Sequence, residues 1–478
     1  MQKIIKEVYG SRNFKKTAQD LIDLLTGHLE KSHQASIKVQ NWKTPKDQLD
    51  FWKNYSFDKE NPAQFFKDVL YNSVNVHHPQ YMGHQISPPA PIAALASLLG
   101  SLLNNGMAVY EMGAAGTAIE KLVIEDLNKK LGFEVENADG FLTSGGTLAN
   151  LTALLTARQV MVKEDVWKNG LQQKIGIMVS SEAHYCVERA AKIMGLGSDG
   201  VIEVPVDELY RMRVDKLQAL YEQTRRNGIE PIAIVASAPS TSTGMHDDIK
   251  AIGKFAQANE MWFHVDGAHG GAAIFSDKYK HYLNGIEQAD SVVIDGHKML
   301  MTPALLTFLL YKDKSHARST FSQKAQYLLN ATKDDKWYDI ASRSFECTKR
   351  LMSIQFYILL QMYGEELFNQ FVTTLYDLGL SFAQLIQDNP YFELAVWPET
   401  NIVCFRYFDK ALSENEIDSL NMKIRQQLLE EGSYYIVQTN LKNRIFLRTT
   451  IMNPMTQSKH FDNLLLKISD IAKRIVLK

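Results

Sequence analysis

Two apolar runs of this 478-residue chain end in residues that can share one small ligand. MWFHV ends in Asp266, and SVVI ends in Asp295-Gly296-His297-Lys298. Burial lowers the pKa of a lysine amine and makes Lys298 a candidate for a Schiff base, while a carboxylate such as Asp266 would hold a pyridine nitrogen protonated. An isolated Asp and Lys would more simply form a salt bridge at a strand end. A third feature is Thr143-Ser144-Gly145-Gly146-Thr147, just before the helical pattern LANLTALLTAR. Its glycines let backbone N–H groups approach an anion, its hydroxyls add donors, and the helix N-terminus adds partial positive charge, which together suit a phosphate. A Gly-Gly turn with a threonine cap is the plainer account of the same residues. His184, in SSEAHYCVERAAKIMGLG, carries an imidazole that can stack on a flat heteroaromatic ring, although a lone histidine is more often a satisfied polar residue. His297 could instead help hold the phosphate.

A sheet must position these residues. Between about Thr117 and Asp313, short apolar runs alternate with helix-like segments. The runs are Ile175 to Val179, Val201 to Val204, Ile232 to Ala236, Met261 to Val265, Ser291 to Ile294 and Leu305 to Tyr311. Such alternation predicts a mostly parallel sheet covered on both faces, with a ligand site at the carboxyl ends of its strands. The polar stretch KSHARSTFSQKAQYLLNATKDDKWYD is too long for an ordinary connection and reads as an active-site loop or an interface segment. A helical pattern from about Thr348 to Asp388 precedes strand-like runs at Ile402 to Phe405, Tyr434 to Val437 and Ile445 to Leu447, and a last helix. At the other end, Phe14, Ala18, Leu21, Ile22, Leu25 and Leu29 form a helical stripe that needs a partner. The expected division is an N-terminal helical segment over 1–85, a large domain over 86–345 and a smaller α+β domain over 346–478.

Composition narrows the classes. The length suggests roughly three structural units. With 52 Lys+Arg against 54 Asp+Glu, 45% hydrophobic and 22% charged residues, the chain has an ordinary globular balance. Disorder and a nucleic-acid footprint fit poorly. Cys186, Cys347 and Cys404 lack Cys-x-x-Cys spacing, which points to a reducing compartment, taken as the cytoplasm, and away from a disulfide framework. No metal site is expected, since His77, His78 and His84 have no matching carboxylate or cysteine pattern. The N-terminus lacks the pattern of a signal peptide. Pro91 to Leu103 is apolar but too short to span a membrane, and it reads as a buried helix.

Taken in order, TSGGTLANLTALLTAR, SSEAHY, FHVDGAHGG and ADSVVIDGHKMLMTPAL resemble the pyridoxal-phosphate-dependent group II amino-acid decarboxylases. That family includes glutamate, aromatic amino acid, cysteine sulfinate and 2,4-diaminobutyrate decarboxylases. The likeness runs from about Asn75 to Lys478, through HHPQYMGH, YEMGAAGTAIEK, ECTKR and FLRTTIMNP. It implies an α/β architecture of fold type I, like aspartate aminotransferase, with pyridoxal 5'-phosphate bound by the large domain and an N-terminal segment that wraps a dimer. By motif, Lys298 matches the Schiff-base lysine, Asp266 the partner of the ring nitrogen and His184 the residue stacked on the ring. Ala268 matches the residue under the opposite face, Gly146 and Thr147 the phosphate turn, and His297 a support beside the lysine. Tyr327 matches the tyrosine of the family's mobile loop, which protonates the carbanion, and Arg448 the arginine that holds the substrate α-carboxylate. His84 falls in a segment that would line the substrate pocket, and Tyr110 near a dimer interface. Departures from the pattern are Pro239-Ser240-Thr241 in place of Gly-Thr-Thr, His269 in place of an aromatic residue, and Lys349 in place of an arginine.

The resemblance implies a homodimer with the active site at its interface, no nucleic-acid or membrane partner, and decarboxylation of an L-amino acid to its amine. A small polar or charged substrate is expected, such as 2,4-diaminobutyrate, glutamate, aspartate or cysteine sulfinate. Three other readings stay open: an aromatic substrate, other chemistry of the same cofactor (transamination, oxidative decarboxylation or carbon-carbon lysis), and a noncatalytic cofactor-binding protein.

Overall fold

The computed structural model describes residues 3–321 and 337–476. These fall into two compact units, one spanning 85–376 with 398–400, the other containing residues up to 84, 377–397 and those from 401 on. The units thus divide at 84/85 and 376/377, where the sequence expectation drew lines at 85/86 and 345/346.

The larger unit holds a seven-stranded sheet. Its strands are β1 (Asp139–Thr143), β2 (Ile175–Ser180), β3 (Val201–Val204), β4 (Glu230–Ser237), β5 (Trp262–Asp266), β6 (Ser291–Asp295) and β7 (Thr307–Tyr311). The order is β1-β7-β6-β5-β4-β2-β3, parallel from β6 through β3 and antiparallel at β7 on both of its sides. Every residue of β1, β2, β5, β6 and β7 is buried, which is why their sequences read as continuous apolar runs. The core of this unit joins Phe141, Ile177, Val235, Trp262 and Leu309 of the sheet to Leu154 of helix Gly146–Met161 and Val187 of helix Cys186–Ile193. One polar side chain inside β5 is fully satisfied: His264 is 2.7 Å from Ser291 Oγ through Nδ1 and 2.7 Å from Asn150 Oδ1 through Nε2. Burial holds its pKa down to about 4, so the ring is neutral.

The other unit holds a four-stranded antiparallel sheet made of β8 (Phe392–Leu394), β9 (Ile402–Tyr407), β10 (Val437–Leu441) and β11 (Arg444–Thr450), in the order β10-β11-β9-β8. Phe405 and Leu447 of the sheet pack with Phe382, Leu428, Phe461 and Ile468 from the helices. Helix Glu414–Glu431 starts with a capping box between Ser413 and Glu416 and stops at Gly432, whose φ of 70° suits glycine. The chain's early segment docks here too: Met82 N–H donates to the Tyr435 carbonyl at 3.0 Å, and Thr450 N–H to the Met82 carbonyl at 2.9 Å.

Three expectations need correction. Strand β1 was not foreseen, because Asp139 to Thr143 contains too short an apolar run to register. The strand expected at Tyr434 to Val437 starts at Val437 and continues through the polar Gln438–Asn440. Pro91–Leu103 is a helix, but it buries only Ala93 and Ala96 and leaves Leu95 and Leu102 47% and 64% exposed. It thus has a second, leucine-rich face that no described residue covers. No described helix is long and apolar enough to cross a membrane.

Candidate active site

A cavity of about 290 Å³ opens in the larger unit where β5 and β6 end. It is lined by Gly146, Thr147, His184, Asp266, Ala268, His297 and Lys298, so residues spread over more than 150 positions of sequence meet on one surface. Each comes from the end of an element. Asp266 closes β5 and stands in register with Ser237 of β4, and the Lys298 turn follows β6 directly. Gly145 takes a φ of 112°, a conformation that favours glycine, and turns the chain from β1 into helix Gly146–Met161. The first N–H groups of that helix have no acceptor within it and add partial positive charge to the cavity wall.

The charges here are matched. Lys298 Nζ is 2.9 Å from Asp295 Oδ2, and Thr307 Oγ1 donates to Asp295 Oδ1 at 2.5 Å. Asp295 is almost fully buried, so its pairing with the amine offsets the cost of both charges. His297 lies with Nδ1 2.9 Å from the Leu306 carbonyl and Nε2 3.7 Å from Asp295 Oδ2. Ala268 N–H donates to Asp266 Oδ1 at 3.2 Å. Burial lowers the pKa of His184; Asp266 opposes this and Lys298 reinforces it, so the ring is neutral near pH 7. Cys186 N–H donates to His184 Nδ1 at 3.3 Å, which leaves the ring proton on Nε2.

A second buried pair supports the glycine turn from behind. Lys349 Nζ is 2.5 Å from Glu120 Oε1 and donates to the Leu142 carbonyl at 2.7 Å, while Leu142 N–H donates to Glu120 Oε1 at 3.0 Å. Both groups thereby fasten the end of β1, one residue before the turn begins. Burial pushes the Lys349 pKa down, and Glu120 pulls it back up. Glu346 reaches the turn itself, accepting from Ser144 N–H at 3.3 Å and Ser144 Oγ at 2.6 Å.

Sequence reasoning missed these partners. Asp295 lay three residues before Lys298 and could have been found from that spacing, whereas 229 positions separate Glu120 from Lys349 and no local pattern links them. Tyr327 lies outside the described residues. Arg448 and His84 belong to the smaller unit. Arg448, on β11 opposite Val437 and Cys404, is 7% exposed, and its Nε and Nη2 have no hydrogen-bond partner among the described residues. The His84 ring lies 5.7 Å from that of Tyr435, and burial, then Arg448, then Arg425 lower its pKa.

This donor set suits pyridoxal phosphate: an amine and a buried carboxylate line one cavity with a neutral imidazole and a glycine turn at a helix N-terminus. Residues 59–408 match the family described as pyridoxal-dependent decarboxylase conserved domain. An L-aspartate decarboxylase of Metarhizium robertsii is 30% identical over 423 residues, covering 87% of this chain and 84% of that protein. An L-2,4-diaminobutyrate decarboxylase of Acinetobacter baumannii is 29% identical over 422 residues, covering 85% and 82%. Among solved structures, the glutamate decarboxylase domain of diaminobutyrate-pyruvate transaminase and L-2,4-diaminobutyrate decarboxylase from Vibrio parahaemolyticus superposes with a TM-score of 0.85 at 28% identity, over 98% of this chain and 96% of that one.

Proposed function

Because the chain belongs to the pyridoxal-dependent decarboxylase family and is a pyridoxal-phosphate-dependent amino-acid decarboxylase, we propose that the cavity at the ends of β5 and β6 is its cofactor site. The single observation that carries this reading is that Lys298 and Asp266 line the same cavity beside the glycine turn. Lys298 would hold the cofactor's aldehyde, Asp266 its ring nitrogen, His184 and Ala268 its two faces, and Gly146 and Thr147 its phosphate. When bound, pyridoxal phosphate supplies a protonated ring that accepts the electron pair left as the α-carboxylate departs as CO2.

The remaining work falls to the chain. Asp295 orients the Lys298 amine and can take the proton that Nζ must lose before it acts as a nucleophile. His297, fixed on the Leu306 carbonyl, supports that turn. Asp266 sets a negative charge in a poorly solvated site and so favours a cation opposite it. Arg448, by its place in the motif, holds the substrate carboxylate, and His84 lines the substrate's side. Tyr327, by its motif, delivers the proton that replaces the carboxylate.

The substrate is a small polar or charged L-amino acid, a reading supported by relatives named for aspartate and 2,4-diaminobutyrate. We assign a homodimer as the working form, supported by the uncovered leucine face of helix Pro91–Leu103, and a cytoplasmic location, supported by three cysteines that are free. CO2 release across a panel of L-amino acids tests the activity, and borohydride reduction with mass spectrometry tests the attachment. The cofactor adduct is expected on Lys298. Lys298→Ala should lose both the adduct and CO2 release, and an adduct on any other lysine would overturn the assignment.

A further inference from the structure

Asp295 holds the Lys298 amine, but a distant stretch of the larger unit holds the Lys298 backbone. Residues 87–91 read Ser-Pro-Pro-Ala-Pro. Proline has no backbone N–H and keeps φ near −65°, so the stretch is stiff. Past the Ser87 backbone N–H, it has two groups left that can donate, the Ser87 hydroxyl and the Ala90 N–H. Both go to the turn that carries Lys298. Ser87 Oγ donates to the Lys298 carbonyl at 2.5 Å, and Ala90 N–H donates to the Met301 carbonyl at 2.9 Å. Ser87 is 1% exposed, so solvent does not compete for its proton. The strap is anchored at its far end as well: the Ala90 carbonyl accepts from Ala93 and Ala94 N–H at 2.9 and 3.1 Å and so begins helix Pro91–Leu103.

The turn needs such a hold. Met301 adopts a φ of 56°, a left-handed conformation that a residue with a side chain keeps only where its surroundings fix it. Within the turn the Lys298 carbonyl accepts one long bond, from Met301 N–H at 3.4 Å, and Ser87 supplies the short one. Lys298 must also change covalent partner while its backbone stays in place. Its Nζ gives a proton to Asp295 and forms a C=N bond to the cofactor's aldehyde carbon, the aldehyde oxygen leaves as water, and the substrate amine later takes over the same carbon. We propose that Ser87 is a positioning residue of the cofactor site: through the Lys298 carbonyl it fixes the turn beside Asp295, so that only the lysine side chain moves when the amine is attached or released. This rests on the cofactor-site reading above and adds to it a residue 211 positions away that does not itself line the cavity.

The test strips the full-length wild type, Ser87→Ala, Ser87→Thr and Ala90→Pro of cofactor and follows reattachment by absorbance, with borohydride reduction and mass spectrometry locating the adduct. Pyridoxamine phosphate, which fills the same site but has no aldehyde to join, is titrated in parallel. Ser87→Ala should attach pyridoxal phosphate about 10-fold more slowly, the size of one net hydrogen bond, while binding pyridoxamine phosphate as wild type does. Ser87→Thr, which keeps the hydroxyl, should recover most of the rate. Ala90 already has a φ of −60°, so Ala90→Pro removes only the N–H and should slow attachment by a smaller factor. Attachment at the wild-type rate in both Ser87→Ala and Ala90→Pro would overturn the proposal. So would a loss of pyridoxamine phosphate affinity as large as the loss of rate, since the strap would then only shape the cavity. Should wild type itself carry no adduct on Lys298, the cofactor-site reading falls and this proposal falls with it.

Discussion

The cavity in the larger unit and Arg448 in the smaller unit handle buried charge in opposite ways. In the larger unit, Lys298 faces Asp295 in the cavity, and behind it Lys349 faces Glu120 and Arg343 faces Asp139. On β11, Arg448 Nε and Nη2 meet no hydrogen-bond partner among the described residues. The difference separates two uses of a charge. A matched pair fixes backbone and side chains in a set geometry, which suits a site that must hold a cofactor in one orientation. An unmatched charge is costly to bury and becomes favourable only with an anion, which suits a site whose anion is a substrate that comes and goes.

The largest effect that would break this contrast comes from deleting one cation on each side. Lys349→Met strands Glu120 in the core and should cost about 3–5 kcal/mol of stability, most of it regained when Glu120→Leu is added. Lys349→Arg, which keeps the charge, should stay close to wild type. Arg448→Met strands nothing, so its stability should equal or exceed that of wild type while substrate binding is lost. Urea denaturation of the holoenzymes measures the first effect and substrate titration the second. Equal destabilisation by Lys349→Met and Arg448→Met would erase the distinction.

The same contrast explains how much could be read from the sequence. Lys298, Asp266, His184 and the glycine turn were legible because each follows an apolar run or precedes a helical pattern, and the rule that ligands sit at the carboxyl ends of parallel strands then joins them. Asp295 could be found from its spacing, but the pair that fastens the glycine turn was hidden. Glu120 and Lys349 meet only because β1 lies at the sheet edge beside β7, and β1 itself was too short to recognise. The helix Pro91–Leu103 was legible as a helix but not in its burial, since an apolar sequence does not say whether the partner is the same chain.

Acid should sharpen the comparison at a middle scale, because here the two units behave alike. Burial holds His264 in the larger unit, and His77 and His78 in the smaller, at pKa values of about 4. Between pH 6.5 and 4 the unfolded chain binds protons at these rings and the folded chain does not. Stability is therefore flat above about 6.5 and lost as the pH falls, by about 1.4 kcal/mol per pH unit for each fully shifted ring. Thermal unfolding from pH 7.5 to 4.5 should show this slope, and His264→Gln, which cannot titrate, should make it shallower. A slope that His264→Gln leaves intact would mean that the ring is protonated in the fold.

The smallest expected effect lies at the edge of the matched region, where Glu346 holds Ser144. That hydroxyl has one proton, and it points at Glu346 Oε1 across 2.6 Å. A phosphate on the turn cannot receive the same proton, and it carries charge of the same sign as the carboxylate. Glu346→Gln keeps an acceptor for Ser144 N–H and removes the charge, so cofactor should bind more tightly. Ser144 is exposed and Glu346 half-buried, and solvent and salt screen much of the repulsion, so the gain should be only about 2- to 4-fold at low ionic strength and should fade as salt is raised. Absorbance titration of the cofactor-free variant with pyridoxal phosphate at two salt concentrations measures it. Weaker binding at both would show that the carboxylate holds the turn in its working shape, and Glu346 would then belong with Asp295 and Glu120 among the residues that fix the cofactor site.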